Sequence, residues 1–221
     1  HPVLNEAVTQ FQAATYKEML PSTGPVRAQI IGSSTTGVEQ QAQRVQTYMN
    51  YMLMEEMEEF EPEFDQMLYF LGLAGSAFKK VYYDELLGRP VSKFVPVEDI
   101  VVNYTATDLQ SAERVTHVIS ISGNELLKSQ VNGVYSESMM TENGEGREHN
   151  EVKDAYDDIQ GISSGYGDKE FTLFESHCYL DIEEYPDTDE NGQETGIKLP
   201  YVVTVCKETS EVLSVRRNYN T

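Results

Sequence analysis

Apolar residues recur at helical spacing through roughly the first third of the chain. They alternate through most of the remainder, and the switch falls in the small-residue run Gly72-Leu73-Ala74-Gly75-Ser76-Ala77. This change of period constrains the fold more than any single motif. Leu4, Ala7, Val8, Phe11, Ala14 and Met19 share one face of a helix over 3–19, with Pro2 suited to its first turn. Val26 to Ile31 reads as a short strand-like run, and Gly32 to Gly37 as a loop. A long helix is expected over 38–60. Pro62 bends or restarts it, and a third helical segment runs to about Phe78. Ala77–Tyr83 and Pro90–Val95 then alternate around Asp84 to Arg89, a hairpin signal. Strands are expected at 100–103, 114–121, 171–182, 197–207 and 211–217. A short helix over 123–131 is capped by Ser122 or Asn124. Helices, then strands, a helix, and strands again predict an α+β fold, with long amino-terminal helices packed on a mostly antiparallel sheet rather than alternating βαβ units.

Charge divides the chain further. The 221 residues carry 37 acidic and 16 basic side chains, net −21. Of these, 136–195 hold 18 acids and 3 bases, while 196–221 hold 2 acids and 4 bases. The Gly-, Ser-, Asn- and acid-rich core of that block, 141–168, has no apolar periodicity. We therefore expect 136–170 to be a disordered acidic insert between a mainly helical 1–80 and mainly β stretches at 77–135 and 171–219. A surface this acidic repels the phosphates of nucleic acid. No apolar stretch approaches the roughly 20 residues needed to cross a bilayer. His1-Pro2 leads directly into a helical pattern, and Asn218 to Thr221 offers no closing element, so we expect a segment of a longer protein without a signal peptide. Cys178 and Cys206 suit a reduced intracellular protein better than a disulfide framework.

Four patterns suggest chemistry, and each fails on its own terms. Gly32 and Gly37 have phosphate-loop spacing, but Val38 and Glu39 stand where Lys and Ser or Thr would bind phosphate and Mg²⁺. The bland reading is a polar loop that starts a helix. Asp187-Thr188-Asp189-Glu190-Asn191-Gly192 matches the first half of a calcium loop. The eighth position is Glu194 and the twelfth Lys198, where an apolar anchor and a bidentate Glu belong. A hairpin tip, whose Asp, Asn and Gly favour a turn, accounts for it better. His177 and Cys178 are adjacent in a strand, so their side chains leave on opposite faces. His117 lies in another strand, and His1 and His149 sit in loose segments. Glu55, Glu56, Glu58, Glu59, Glu61, Glu63 and Asp65 surround the stripe Met49, Met52, Leu53, Met57 and Phe60. These acids share one solvated setting rather than the divided environments that acid–base chemistry needs. The residues therefore assign no catalytic, cofactor or metal site and no enzyme activity.

Longer strings say more. The run from Glu63 to Asp84, centred on Phe70-Leu71-Gly72-Leu73-Ala74-Gly75-Ser76-Ala77-Phe78-Lys79-Lys80-Val81-Tyr82-Tyr83, resembles the portal proteins of short-tailed DNA phages. So do Leu87 to Ile100, Ala106-Thr107-Asp108-Leu109, Arg114 to Ile119, Leu199 to Val205 and Val212 to Asn218. The resemblance covers most of 3–135 and 171–219 and fails in the acidic insert. It implies the amino-terminal wing portion of a subunit that forms a ring, commonly a dodecamer, at one vertex of a phage head. Through that ring double-stranded DNA enters and leaves. The implied partners are further copies, major capsid and scaffolding proteins, the terminase motor and tail adaptors. The implied location is the virion, after assembly in the host cytoplasm. Stem, clip and crown lie outside the resembling stretches, which argues against direct DNA contact here. The alternative is an acidic protein-binding or calcium-binding module centred on 181–194.

Overall fold

The computed structural model describes residues 2–84, 87–136, 170–183, 185–188 and 193–218. The expected acidic insert lies outside the described residues except for its ends. The fold is α+β, and its antiparallel pairing is divided between two sheets. The chain forms two compact units, 1–98 and 99–221. The β-hairpin over 78–95 therefore belongs with the helices and not with the larger sheet.

In the first unit, helix α1 (Val3–Met19) lies antiparallel to helix α3 (Phe60–Ala74). The Asn5 side chain accepts from Tyr69 Oη at 3.0 Å, and Gln12 Nε2 donates to Asp65 Oδ1 at 2.8 Å. Tyr16 Oη bonds to Glu61 at the far end. Leu20, Phe64 and Leu68 form the apolar centre, with Tyr16, Phe60 and Met67 packed around them. Leu68 is 2% exposed, a burial that stabilises by about 2 kcal/mol.

Helix α2 (Thr36–Tyr51) is shorter than the expected 38–60. A single π-helical turn, Met52–Glu56, follows it, closed by Met57 N–H donating to Met52 O at 2.9 Å. Pro62 accounts for the break. It lacks an N–H and its ring crowds the carbonyl four residues back, so an α-helix cannot run through 58–62. Helix α3 stops at Ala74 because Gly75 turns left-handed at φ 78°, its N–H capping Leu71 O at 3.0 Å. That is short of the expected Phe78. Strands β1 (Phe78–Asp84) and β2 (Arg89–Val95) pair with Phe78 opposite Val95 and Asp84 opposite Arg89. Between Met19 and α2, the run Val26 to Ile31 is not a strand.

The second unit is a five-stranded antiparallel meander of β3 (Ile100–Val102), β4 (Arg114–Ser122), β5 (Glu170–Leu180), β6 (Leu199–Cys206) and β7 (Val212–Arg217), in that order. Helix α4 (Gly123–Val131) follows β4, and Ser122 caps it by accepting from Glu125 N–H at 3.3 Å. Alternation puts Ile119, Ile121, Phe171, Leu173 and Cys206 on one face, where Leu126 of α4 and Leu213 of β7 close the core. The register slips between Thr204 and Val205, so Thr204 faces Ser214 and Val205 faces Val212. The extra residue is Leu213, which the bulge sends into the core at 1% exposure.

Candidate assembly surface

The acidic run at 55–65 is divided between two roles. Four of its carboxylates are committed. Glu59 receives Arg89 through two bonds of 2.9 Å, which hold its carboxyl below the ordinary carboxylate range. Glu63 Oε2 accepts Phe94 N–H at 2.6 Å. Glu61 bonds to Tyr16 Oη; that hydrogen bond, aided by burial and the Glu61 charge, pushes the phenol up to about 12. Asp65 holds Gln12. Lys79 completes this arrangement. Its Nζ lies 4.6 Å from the Phe60 ring centre and 5.6 Å from that of Phe64, and it donates to Ser92 Oγ at 2.9 Å. Burial lowers its pKa against the opposing pull of Glu63 and Glu59. The expectation of one solvated environment is corrected here, because Glu59, Glu63 and Lys79 fasten the hairpin to α3 while Glu61 and Asp65 hold α1. Glu55, Glu56 and Glu58 remain exposed.

The other motifs resolve simply. Gly32 to Gly37 is a helix-starting loop: Thr35 caps α2 by accepting from Val38 N–H, and Ser34 bonds to Glu39. Residues 189–192 of the calcium-like stretch lie outside the described residues. Asp187 Oδ2 accepts from Thr195 Oγ1 at 2.6 Å, its backbone O accepts Thr195 N–H, and Thr188 forms an antiparallel bridge with Glu194. Among the described residues, no three His, Cys, Asp or Glu side chains are placed to hold a metal ion. His177 Nε2 lies 3.3 Å from Glu175 Oε1, on the strand face opposite Cys178. His1 and His149 lie outside the described residues.

Both cysteines are free thiols. Cys206 is fully buried and its Sγ donates to Glu208 Oε2 at 3.0 Å. Burial and that bond push its thiol up, and burial does the same for Cys178. Strands β5 and β6 pair, as the intervening turn suggested, but Cys178 faces Tyr201 while Cys206 faces Leu173. Five rows separate them, about 17 Å at roughly 3.3 Å per residue, and they occupy opposite faces. No disulfide spans that gap.

What remains is a surface with no chemistry of its own. Residues 26–30 run extended along α2, held by side-chain amides instead of a neighbouring strand. Asn50 Oδ1 accepts Val26 N–H at 2.8 Å, Asn50 Nδ2 donates to Val26 O at 3.1 Å, and Gln46 Oε1 accepts Ala28 N–H at 3.1 Å. Gly24 sits against the same amide, where a Cβ would collide with it. This explains the missing strand at 26–31: a helix side supplies the polar partners that a strand would have supplied. Among the described residues, the far face of α2 has no such cover. Gln40, Gln43, Arg44, Thr47, Tyr48 and Tyr51 lie exposed along it. Sequence reasoning missed this face because its residues are mostly polar and carry no motif. The one available signal was a near-neutral, Gln- and Tyr-bearing helix in an acidic chain.

Among the described residues, no helix is long and apolar enough to cross a membrane. No family model matches the chain, and no curated protein matches it significantly.

Proposed function

We propose that the chain is the wing portion of a ring-forming phage portal subunit, a structural protein and not an enzyme. Its place would be the head vertex through which DNA is packaged and ejected. The observation that carries this reading is the resemblance of the run from Glu63 to Ile100, which includes most of α3 and both strands of the hairpin. A net charge of −21 suits a ring that must let DNA slide rather than grip it. The partners would be further copies, capsid and scaffolding proteins, the packaging motor and tail adaptors. The calcium alternative has less support, because the Asp187 carboxylate is already engaged by Thr195.

The test is electron microscopy of the full gene product that carries this chain. Closed rings of about twelve subunits with an axial channel are expected. A monomer or an open aggregate under conditions where the protein is folded would overturn the proposal.

A further inference from the structure

Helix α2 spans sixteen residues and none of them is buried. A helix of that length is marginal in water by itself and ordinarily gains its stability from packing. One side of α2 is held by the 26–30 segment, whereas Val45, Tyr48 and Tyr51 on the remaining surface are more than half exposed. The charge of this region is also unlike the rest. From Leu20 to Met54 the charged side chains are Arg27, Glu39 and Arg44, net +1, which leaves −22 for the remainder.

We propose that the exposed face of α2, centred on Arg44, Thr47, Tyr48 and Tyr51, docks a second copy of this chain. The inference rests on the assembly reading for its occupant and adds the surface. Two molecules that each carry −21 repel over most of their area, and they approach at least electrostatic cost where the charge is close to zero or positive. The α2 arm is a long surface of that kind. A basic partner would be drawn to the acidic blocks instead. Tyr and Arg are the side chains that interfaces favour, because each combines a large contact area with a polar tip. Arg44 also gives the arm an attractive term toward any acidic surface of the neighbour, such as Glu55, Glu56 and Glu58.

Sedimentation velocity on the 221-residue chain over a concentration series in about 0.15 M salt tests this. Weak, concentration-dependent association is expected. Tyr48→Ala with Tyr51→Ala should weaken it at least tenfold, as should Arg44→Glu. Val131→Ala, at another exposed apolar position, should leave it unchanged. Circular dichroism should match wild type in every variant, because none of the replaced side chains is buried. Association that the α2 variants do not alter would overturn the inference and leave the assembly reading standing. A chain that stays monomeric to roughly millimolar concentration would also overturn it, while the micrographs of the full gene product judge the ring separately.

Discussion

Among single residues, two nearby glycines do different jobs. A Cβ at Gly72 would lie 3.1 Å from Phe11 Cδ1 and 3.3 Å from Val8 Cγ1, so this glycine sets how closely α1 and α3 approach. Gly75 has open space around it and is needed for its φ of 78°. Gly72→Val should therefore cost about 1–3 kcal/mol through overpacking. Gly75→Ala and Gly75→Leu should both cost about 1 kcal/mol, because backbone conformation and not side-chain size sets the penalty. Urea denaturation of the three variants checks the order. Both lie in one small-residue run, and spacing alone does not distinguish a close helix contact from a left-handed cap. Glu59 makes a pH prediction. Its folded pKa is depressed by Arg89, so its contribution is present above its ordinary value of 4.5 and disappears as pH falls through the lower folded value. Glu59→Gln should lower the melting temperature at about pH 7, and the gap from wild type should close under acid conditions. A gap that does not narrow as pH falls below 4.5 would refute the assignment. Lys79 is the opposite case, a cation partly stripped of water beside two carboxylates and two rings. Lys79→Met should change stability by less than about 1 kcal/mol, whereas Lys79→Glu should lose about 2–3 kcal/mol by placing like charges together. Thermal melts of the pair distinguish charge from packing.

Among the elements, periodicity identified most of the secondary structure, with strand ends displaced by a residue or two and the ends of α2 and α3 set too far along the chain. It did so where an element turns an apolar face to a core, as α3, α4, β5 and β6 do, whereas α2 buries none of its residues. It failed at 26–31, where β-branched residues suggested a strand but the partners are Asn50 and Gln46, about twenty residues away on a helix. It also treated the acids at 59–65 as solvated, because Arg89, Phe94 N–H, Gln12 and Tyr16 reach them from distant positions that only the tertiary fold brings close. Asn50 offers the clearest test at this level. Asn50→Ala removes two hydrogen bonds to Val26, at about 1 kcal/mol each. Amide exchange at Val26 and Ala28 should speed up roughly tenfold or more, while β5 and β6 keep their protection. Unchanged exchange at Val26 would show that the arm is held by something other than this amide.

For the molecule as a whole, charge is the dominant property. Each copy brings −21 to any assembly, and the acids of 136–195 account for most of it. Screening should therefore decide how readily copies associate. The Debye length falls from about 30 Å at 0.01 M salt to about 8 Å at 0.15 M. Deleting 141–168 should flatten the salt dependence without unfolding the protein, because that stretch supplies no periodic apolar face. If this acidic chain acts by assembling with copies of itself, sedimentation velocity of the full gene product across a salt series from about 0.01 to about 0.3 M will show it. One discrete heavy species of about twelve subunits is expected, its share rising with salt to physiological strength and then levelling. A protein that stays monomeric throughout, or whose heavy species is most abundant at the lowest salt, would rule out screened self-assembly as the basis of its function.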